Sequence, residues 1–150
     1  MEPTAVRDLD AVRRRRAELR ESIALLRSAL AAPSAEPVVW GERVQQELAR
    51  LALDFIEHVE VTEGPAGLHE SVIESSPRLS HAVDVLTAEH EELEAQIAAL
   101  SAVAEAPVMA ADVEAITAQG SELVGLLVKH RQRGADLVYE AFQQDLGTGD

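Results

Sequence analysis

Apolar residues recur along this chain at steps of three and four, the spacing that aligns side chains on one face of an α-helix. Four stretches carry the pattern, and they predict helices over about residues 4–31, 38–63, 77–104 and 111–146. Pro33 follows the first stretch, Gly64 and Pro65 break the second, and Pro107 follows the third. The pattern therefore predicts an all-α chain.

The connections between these helices predict how they are arranged. Residues 66–75 form a long connection with room for one short turn of helix, and Ser76 with Pro77 is a typical helix start. The remaining connections are of modest length, which favours an up-down-up-down four-helix bundle. A length of 150 residues suits one domain over residues 1–150.

Composition supports the helical interpretation and excludes several functions. The hydrophobic fraction is 47% and the aromatic fraction only 3%, so aliphatic residues must supply the core. The formal net charge of −14 disfavours nucleic acid and anionic membranes as partners, because both would repel the chain. The absence of cysteine excludes disulfides and thiolate metal sites. With no signal-peptide pattern or long apolar segment, a cytoplasmic location is expected.

Three of the five histidines lie on the apolar faces of three different helices. His58 follows Phe55 by three residues, His90 follows Leu86 by four, and His130 precedes Leu137 by seven. Imidazoles that converge from facing helices form metal sites in bundles, although each histidine could instead be an independent core residue. We favour convergence on one site.

The two other histidines are treated differently. His81 precedes His90 by nine residues and is expected on the opposite, exposed face of the same helix. His69 lies in the irregular connection, and the pattern does not place it.

Several short runs resemble hemerythrin-like (HHE cation-binding) domains. "LRESIALLRSAL" is similar to the first helix of that family, and the next three helices are matched in order by "FIEHVEVTE", "TAEHEELEAQIAAL" and "LLVKHRQRGADLVYEAF". The resemblance spans about residues 6–147. It implies a four-helix bundle that binds two iron ions through histidines and two carboxylates, and that serves in oxygen binding, iron handling or sensing.

Matched residue by residue, His58, His90 and His130 occupy histidine ligand positions of the family. Three other ligand positions are altered, because Arg16 replaces a histidine of the first helix and Thr62 and Gly134 replace the two carboxylates. Two nearby acidic residues are candidate replacement ligands. Glu63 lies five residues after His58. Asp136 lies six after His130 and needs a π-bulge near Gly134 to reach the site.

Arg16 and Tyr139 are further candidates for the pocket. A guanidinium cannot bind a metal ion, so Arg16 would pair with Glu63, Asp136 or Glu140, bind a small anion, or extend to solvent over its methylene groups. Tyr139, the only tyrosine, could hydrogen-bond into the pocket or lie at its rim or in the core.

Three functions remain open from the sequence. The first is a hemerythrin-like protein with an altered metal site, which serves in iron- or oxygen-related binding or sensing. The second is a metal-free module that kept the scaffold and binds a small ligand or a protein partner. The third is haem binding by paired histidines. No nucleophile motif accompanies the inward histidines, so hydrolytic catalysis is not expected.

Overall fold

The computed structural model describes the backbone of residues 3–143 and the side chains of residues 9–142. This part of the chain is almost entirely helical. Five α-helices follow one another as α1 Pro3–Ala31, α2 Pro37–Glu63, α3 Leu68–Ser75, α4 Ser80–Glu105 and α5 Val113–Val138. Single 3₁₀ turns precede α4 and α5 at Pro77–Leu79 and Ala110–Asp112, and a π-helical turn at Tyr139–Gln143 continues α5.

The four predicted long helices are present, and most of their ends lie within two residues of the prediction. Gly64 ends α2 in an extended conformation, as the Gly-Pro pair predicted. The third helix begins as a 3₁₀ turn at Pro77 rather than as α-helix. The predicted end of the fourth helix, residues 144–146, lies outside the described residues.

The connection between α2 and α4 contains more helix than the sequence predicted. Instead of one short turn, α3 spans eight residues. Its buried residues Leu68 and Val72 pack into the core with Val83 and Leu86 of α4. Burial of these side chains holds α3 against the bundle, and the backbone reaches it through Ala66, which has a positive φ of 59°.

The long helices pack in a ring, because α1 contacts α2 and α5, and α4 contacts the same two helices. This packing is consistent with a four-helix bundle. Within the part of the chain that the structure describes, no helix has both the length and the apolar character needed to cross a membrane.

The core consists of two apolar clusters separated along the bundle. The larger cluster includes Leu19, Phe55, Leu93 and Leu127, one residue from each long helix. The buried residues of the smaller cluster are Val12, Leu68, Val72, Leu79, Val83, Leu86, Leu137 and Ala141. Between the two clusters each long helix contributes a polar residue or a histidine, and these residues form the candidate site.

Candidate metal centre

His58, His90 and His130 converge in the layer between the two apolar clusters. At most 7% of each residue is exposed. One ring nitrogen from each histidine can be chosen so that all three atoms lie within 4.8 Å of one another. The Nε2 atoms of His58 and His130 are 3.2 Å apart. The predicted convergence of the three imidazoles is therefore present in the fold.

Helical register explains this placement. Each histidine continues the apolar face of its helix at the point where the larger cluster ends. The ring of Phe55 closes the site on that side, with its centroid 5.7 Å from His58, 5.8 Å from His90 and 6.2 Å from His130. The aromatic contact limits the rotation of all three imidazoles.

Carboxylates on the outer side of two rings determine which nitrogen is free. Nδ1–H of His90 donates to Oε2 of Glu63, and Nδ1–H of His130 donates to Oε1 of Glu89 over 2.8 Å. The second oxygen of Glu89 accepts a hydrogen bond from Arg133. A proton on Nδ1 leaves a lone pair on Nε2, which is the tautomer that binds a metal ion.

Two nitrogen atoms of the cluster lack a hydrogen-bond partner among the described residues. Nε2 of His90 and Nδ1 of His58 are both buried and unpaired. A buried imidazole nitrogen without a partner is costly, because it loses its hydrogen bond to water and gains none in return. A metal ion on Nε2 of His90 would remove that cost.

A small cavity adjoins the histidines. Its volume is about 20 Å³, enough for one water molecule or one ion of similar size. The polar residues and the glycine that line it are His58, His69, His90, His130, Arg16, Arg131, Thr62 and Gly134. This set contains every position that the resemblance to hemerythrin-like domains assigns to a histidine or to one of the two carboxylates.

The sequence pattern did not place His69, and the structure brings it to this cavity. Helix α3 carries its ring parallel to that of His90, with the centroids 5.7 Å apart and the planes at 7°. Its Nδ1 lies 3.2 Å from Oγ1 of Thr87. His69 precedes the buried Val72 by three residues, and this helical spacing was the one available signal.

The four buried histidines are neutral at physiological pH. Burial lowers the pKa of His58 to about 2, and the neighbouring His90 and His130 lower it further in the same direction. Burial likewise lowers the pKa of His90 to about 3 and that of His69 to about 4. The pKa of His130 is also lowered by burial, although its hydrogen bond to Glu89 opposes the shift. Neutral imidazoles are the form that binds metal ions.

Arg16 and Arg131 both line the cavity. Both are half-buried, and burial lowers the pKa of each guanidinium. Nε of Arg131 is buried without a hydrogen-bond partner. Within the described residues, neither arginine has a carboxylate within ion-pair distance. The sequence pointed to Arg16 and did not reveal Arg131, which directly follows His130.

Pairing with Glu63, Asp136 or Glu140 was one of the three possibilities for Arg16, and none of these carboxylates pairs with it. Glu63 accepts its hydrogen bond from His90. Asp136 accepts one from Gln132 over 3.0 Å, and Glu140 pairs with Arg78. Each carboxylate is therefore engaged elsewhere.

Three predicted site residues take other positions. Glu63 lies behind His90 rather than beside the ring nitrogens that converge. Asp136 is exposed, because α5 remains α-helical through Val138 and the π-helical turn begins only at Tyr139. Tyr139 is 63% exposed and does not line the cavity.

The donor set fits one metal ion and does not fit a carboxylate-bridged pair of irons. Thr62 offers only a hydroxyl group, which donates to the backbone carbonyl oxygens of His58 and Val59 at 2.9 and 3.2 Å. Gly134 offers no side chain. Three imidazole nitrogens with carboxylates behind two of them form the usual environment of a single bound divalent ion.

Comparison with known proteins identified no relative of this chain. It matches no protein-family model, no curated protein and no solved structure. The site itself is therefore the basis for a proposed function.

Proposed function

We propose that this chain is a metal-binding protein that holds one divalent transition-metal ion through Nε2 of His58, His90 and His130. The observation that carries the proposal is the convergence of the three buried imidazoles, with Nδ1 of two of them bound to carboxylates. Such outer carboxylates orient a ligand histidine and increase its basicity. Burial keeps the rings neutral, so the only Nε2 proton to be displaced is the one in the hydrogen bond between His58 and His130, and it moves to Nδ1 of His58 on binding.

Iron is the metal that we favour, with a role in binding or sensing a small ligand such as oxygen. Imidazole ligands suit iron, zinc, copper and nickel alike. The preference for iron comes from the resemblance to hemerythrin-like domains. The cavity supports this preference for iron. The three positions that differ from the ligands of that family, Arg16, Thr62 and Gly134, line the cavity together with the three histidines. An ion held by three protein ligands keeps a coordination position for a small molecule.

Metal uptake by histidine variants tests the proposal. Purified protein without an affinity tag is stripped with chelator, reloaded anaerobically with iron(II) or zinc(II), desalted and analysed for metal. We expect one equivalent in the wild type and a loss of at least tenfold in affinity for His58→Gln, His90→Gln and His130→Gln. His81→Gln is the matched control, because His81 is exposed and lies on α4 like His90.

Either of two results would overturn the proposal. One is a wild type that retains no metal after reloading, and the other is retention by the three variants equal to that by His81→Gln. Far-ultraviolet circular dichroism of each variant separates loss of ligand from loss of fold.

A metal-free module is the second candidate, and a specific observation favours it. Arg16 and Arg131 place positive charge in the same cavity, where it would repel a divalent ion. On this account the scaffold has lost its metal, and Arg16→His, Thr62→Glu and Gly134→Glu together restore iron binding. Position 134 has space for a side chain, since a Cβ there would meet nothing within 4 Å. Iron uptake by the triple variant, with none by the wild type, supports this candidate; one equivalent in the wild type excludes it.

Haem binding is the least supported of the three functions. The cavity volume of about 20 Å³ is far below the several hundred Å³ typical of pockets for cofactor-sized ligands. Titration with haem is expected to give no Soret band of a histidine-ligated haem.

A further inference from the structure

We propose that Arg16 and Arg131 form a binding site for a small carboxylate-type anion, of the size of formate or bicarbonate, in the cavity beside the histidines. These two side chains are distinct from the three histidines that converge. Anion binding at this site does not require a metal ion. If a metal ion is bound to the histidines, the anion would also balance part of its charge.

Hydrogen-bond donors of two arginines at the cavity lack protein acceptors among the described residues. Nε of Arg131 is buried and unpaired. Arg16 lines the same cavity and has no carboxylate partner among the described residues. An anion with two or three oxygen atoms would accept hydrogen bonds from both guanidinium groups.

Carboxylates are abundant in this chain, and yet among the described residues none of them pairs with these two half-buried arginines. The chain has 27 acidic and 13 basic residues. Arg15 lies 2.8 Å from Glu57, and Arg133 binds Glu89. The two carboxylates closest to the histidines, Glu63 and Glu89, are engaged by Nδ1 atoms and do not line the cavity. Half-buried guanidinium groups without a carboxylate are costly unless another anion supplies the missing charge.

Two different helices bring the arginines to the same cavity. Arg16 comes from α1 and Arg131 from α5, and both line the cavity. Two cations in one cavity repel each other, and an anion bound between them would be attracted to both. Guanidinium groups bind carboxylates and other planar oxyanions through paired N–H groups.

The cavity volume limits the size of the anion. About 20 Å³ accommodates a ligand of very few atoms. Formate is therefore the probe of choice, and bulkier tetrahedral anions such as sulfate are expected to bind more weakly.

The test is a formate titration of the metal-free protein, followed by the ¹⁵N–¹H signals of the arginine Nε–H groups. The signal of Arg131 is assigned by its absence in Arg131→Gln. We expect a saturable shift of that signal in the wild type. The dissociation constant should rise about tenfold or more in Arg16→Gln, because one charge-assisted hydrogen bond is lost.

Arg43→Gln is the matched control, since Arg43 is exposed on α2, does not line the cavity, and loses the same charge. The dissociation constant of this variant should stay within about twofold of the wild type, because only distant, screened charge is removed. Thermal unfolding provides a second readout. Formate should raise the melting temperature of the wild type and of Arg43→Gln, but not that of Arg131→Gln, because binding to the native state alone stabilises it.

The absence of a saturable shift would overturn the proposal, as would equal formate affinity in Arg16→Gln and Arg43→Gln. Its failure is distinguishable from failure of the metal proposal. Formate binding without metal uptake leaves the anion site standing, and metal uptake without formate binding removes it. A variant that fails to fold is recognised by its melting curve without formate, and substitution by lysine then retains the charge for a second measurement.

Discussion

At the scale of single residues, the site depends on which nitrogen of each imidazole carries the proton. Glu63 and Glu89 hold the Nδ1 protons of His90 and His130, so the lone pairs of these two rings are on Nε2. Glu89 directly precedes His90 in the sequence but binds His130 on another helix. This pairing across helices could not be predicted, because it depends on the rotation of α4 against α5.

The first prediction concerns these two carboxylates. Glu63→Gln and Glu89→Gln are each expected to weaken metal binding by about 10- to 100-fold, because the amide is a weaker acceptor and no longer fixes the tautomer. The measurement is a competition titration with a chromophoric zinc chelator. Glu60→Gln, an exposed change on α2, is the control and should bind like the wild type. Equal affinity in all three variants would contradict an orienting role for Glu63 and Glu89.

The second prediction concerns the pH dependence of the metal-free protein. The folded-state pKa values of His58, His69 and His90 are about 2, 4 and 3, whereas an unfolded histidine has a pKa of about 6.5. Below pH 6.5 the unfolded chain therefore binds more protons than the folded one, and stability falls as the pH falls towards 4. Above pH 6.5 these residues contribute no slope.

Urea unfolding between pH 7.5 and 4.5 measures this slope for the wild type, His90→Leu and His81→Leu. Each buried neutral histidine contributes about 1.4 kcal/mol per pH unit in the titrating range, so His90→Leu should lose about that much slope. His81→Leu should leave the slope close to that of the wild type, since His81 is exposed. Identical slopes in all three proteins would show that His90 is not buried in its neutral form.

At the scale of helices, the sequence pattern was informative because helix formation is mainly local. Apolar spacing predicted the long helices, and Pro33 and Gly64 marked two of their ends. The length of α3 was underestimated, because its eight residues owe their order to burial of Leu68 and Val72 against other helices. The sequence alone does not report such tertiary contacts.

The same limit applies to the site. The inward direction of His58, His90 and His130 follows from helical register, and this part was predicted. Arg131 and His69 were missed because their approach to the cavity depends on how α5 and α3 are packed. Asp136 was expected to reach the site through a π-bulge near Gly134. It does not, because α5 is a regular α-helix as far as Val138.

The third prediction compares two glycines of α5. A Cβ at Gly125 would meet nothing within 4 Å, whereas one at Gly120 would lie 2.6 Å from Cδ1 of the buried Leu30. Gly125→Ala should raise the free energy of unfolding by about 1 kcal/mol, because alanine favours helix. Gly120→Ala should lower the free energy of unfolding by up to about 2 kcal/mol. The new methyl group would crowd Leu30 of α1, and the cost of this overpacking exceeds the gain in helix propensity.

Urea midpoints at pH 7.5 measure both effects against the wild type. Stabilisation by Gly120→Ala equal to that by Gly125→Ala would show that α1 and α5 are not in close contact at Leu30.

At the scale of the whole molecule, a polar layer interrupts an otherwise aliphatic core. Apolar cluster residues lie on both sides of it along the bundle, and the layer itself contains three histidines and two arginines without carboxylate partners among the described residues. An apolar layer at this level would stabilise the fold more, because buried polar groups without partners cost free energy. Conflict between local cost and overall fold is typical of functional sites. We interpret this polar layer as the functional part of the bundle.

The central claim is one metal ion bound through Nε2 of three histidines, and proton NMR during titration with cobalt(II) tests it most directly. Paramagnetic cobalt(II) displaces the N–H signals of its imidazole ligands far from the rest of the spectrum. We predict three displaced N–H signals that reach full intensity at one equivalent. The two from Nδ1 of His90 and His130 should exchange slowly with water, because Glu63 and Glu89 hold them. Absence of displaced signals, or their continued growth to two equivalents, would contradict a single three-histidine site.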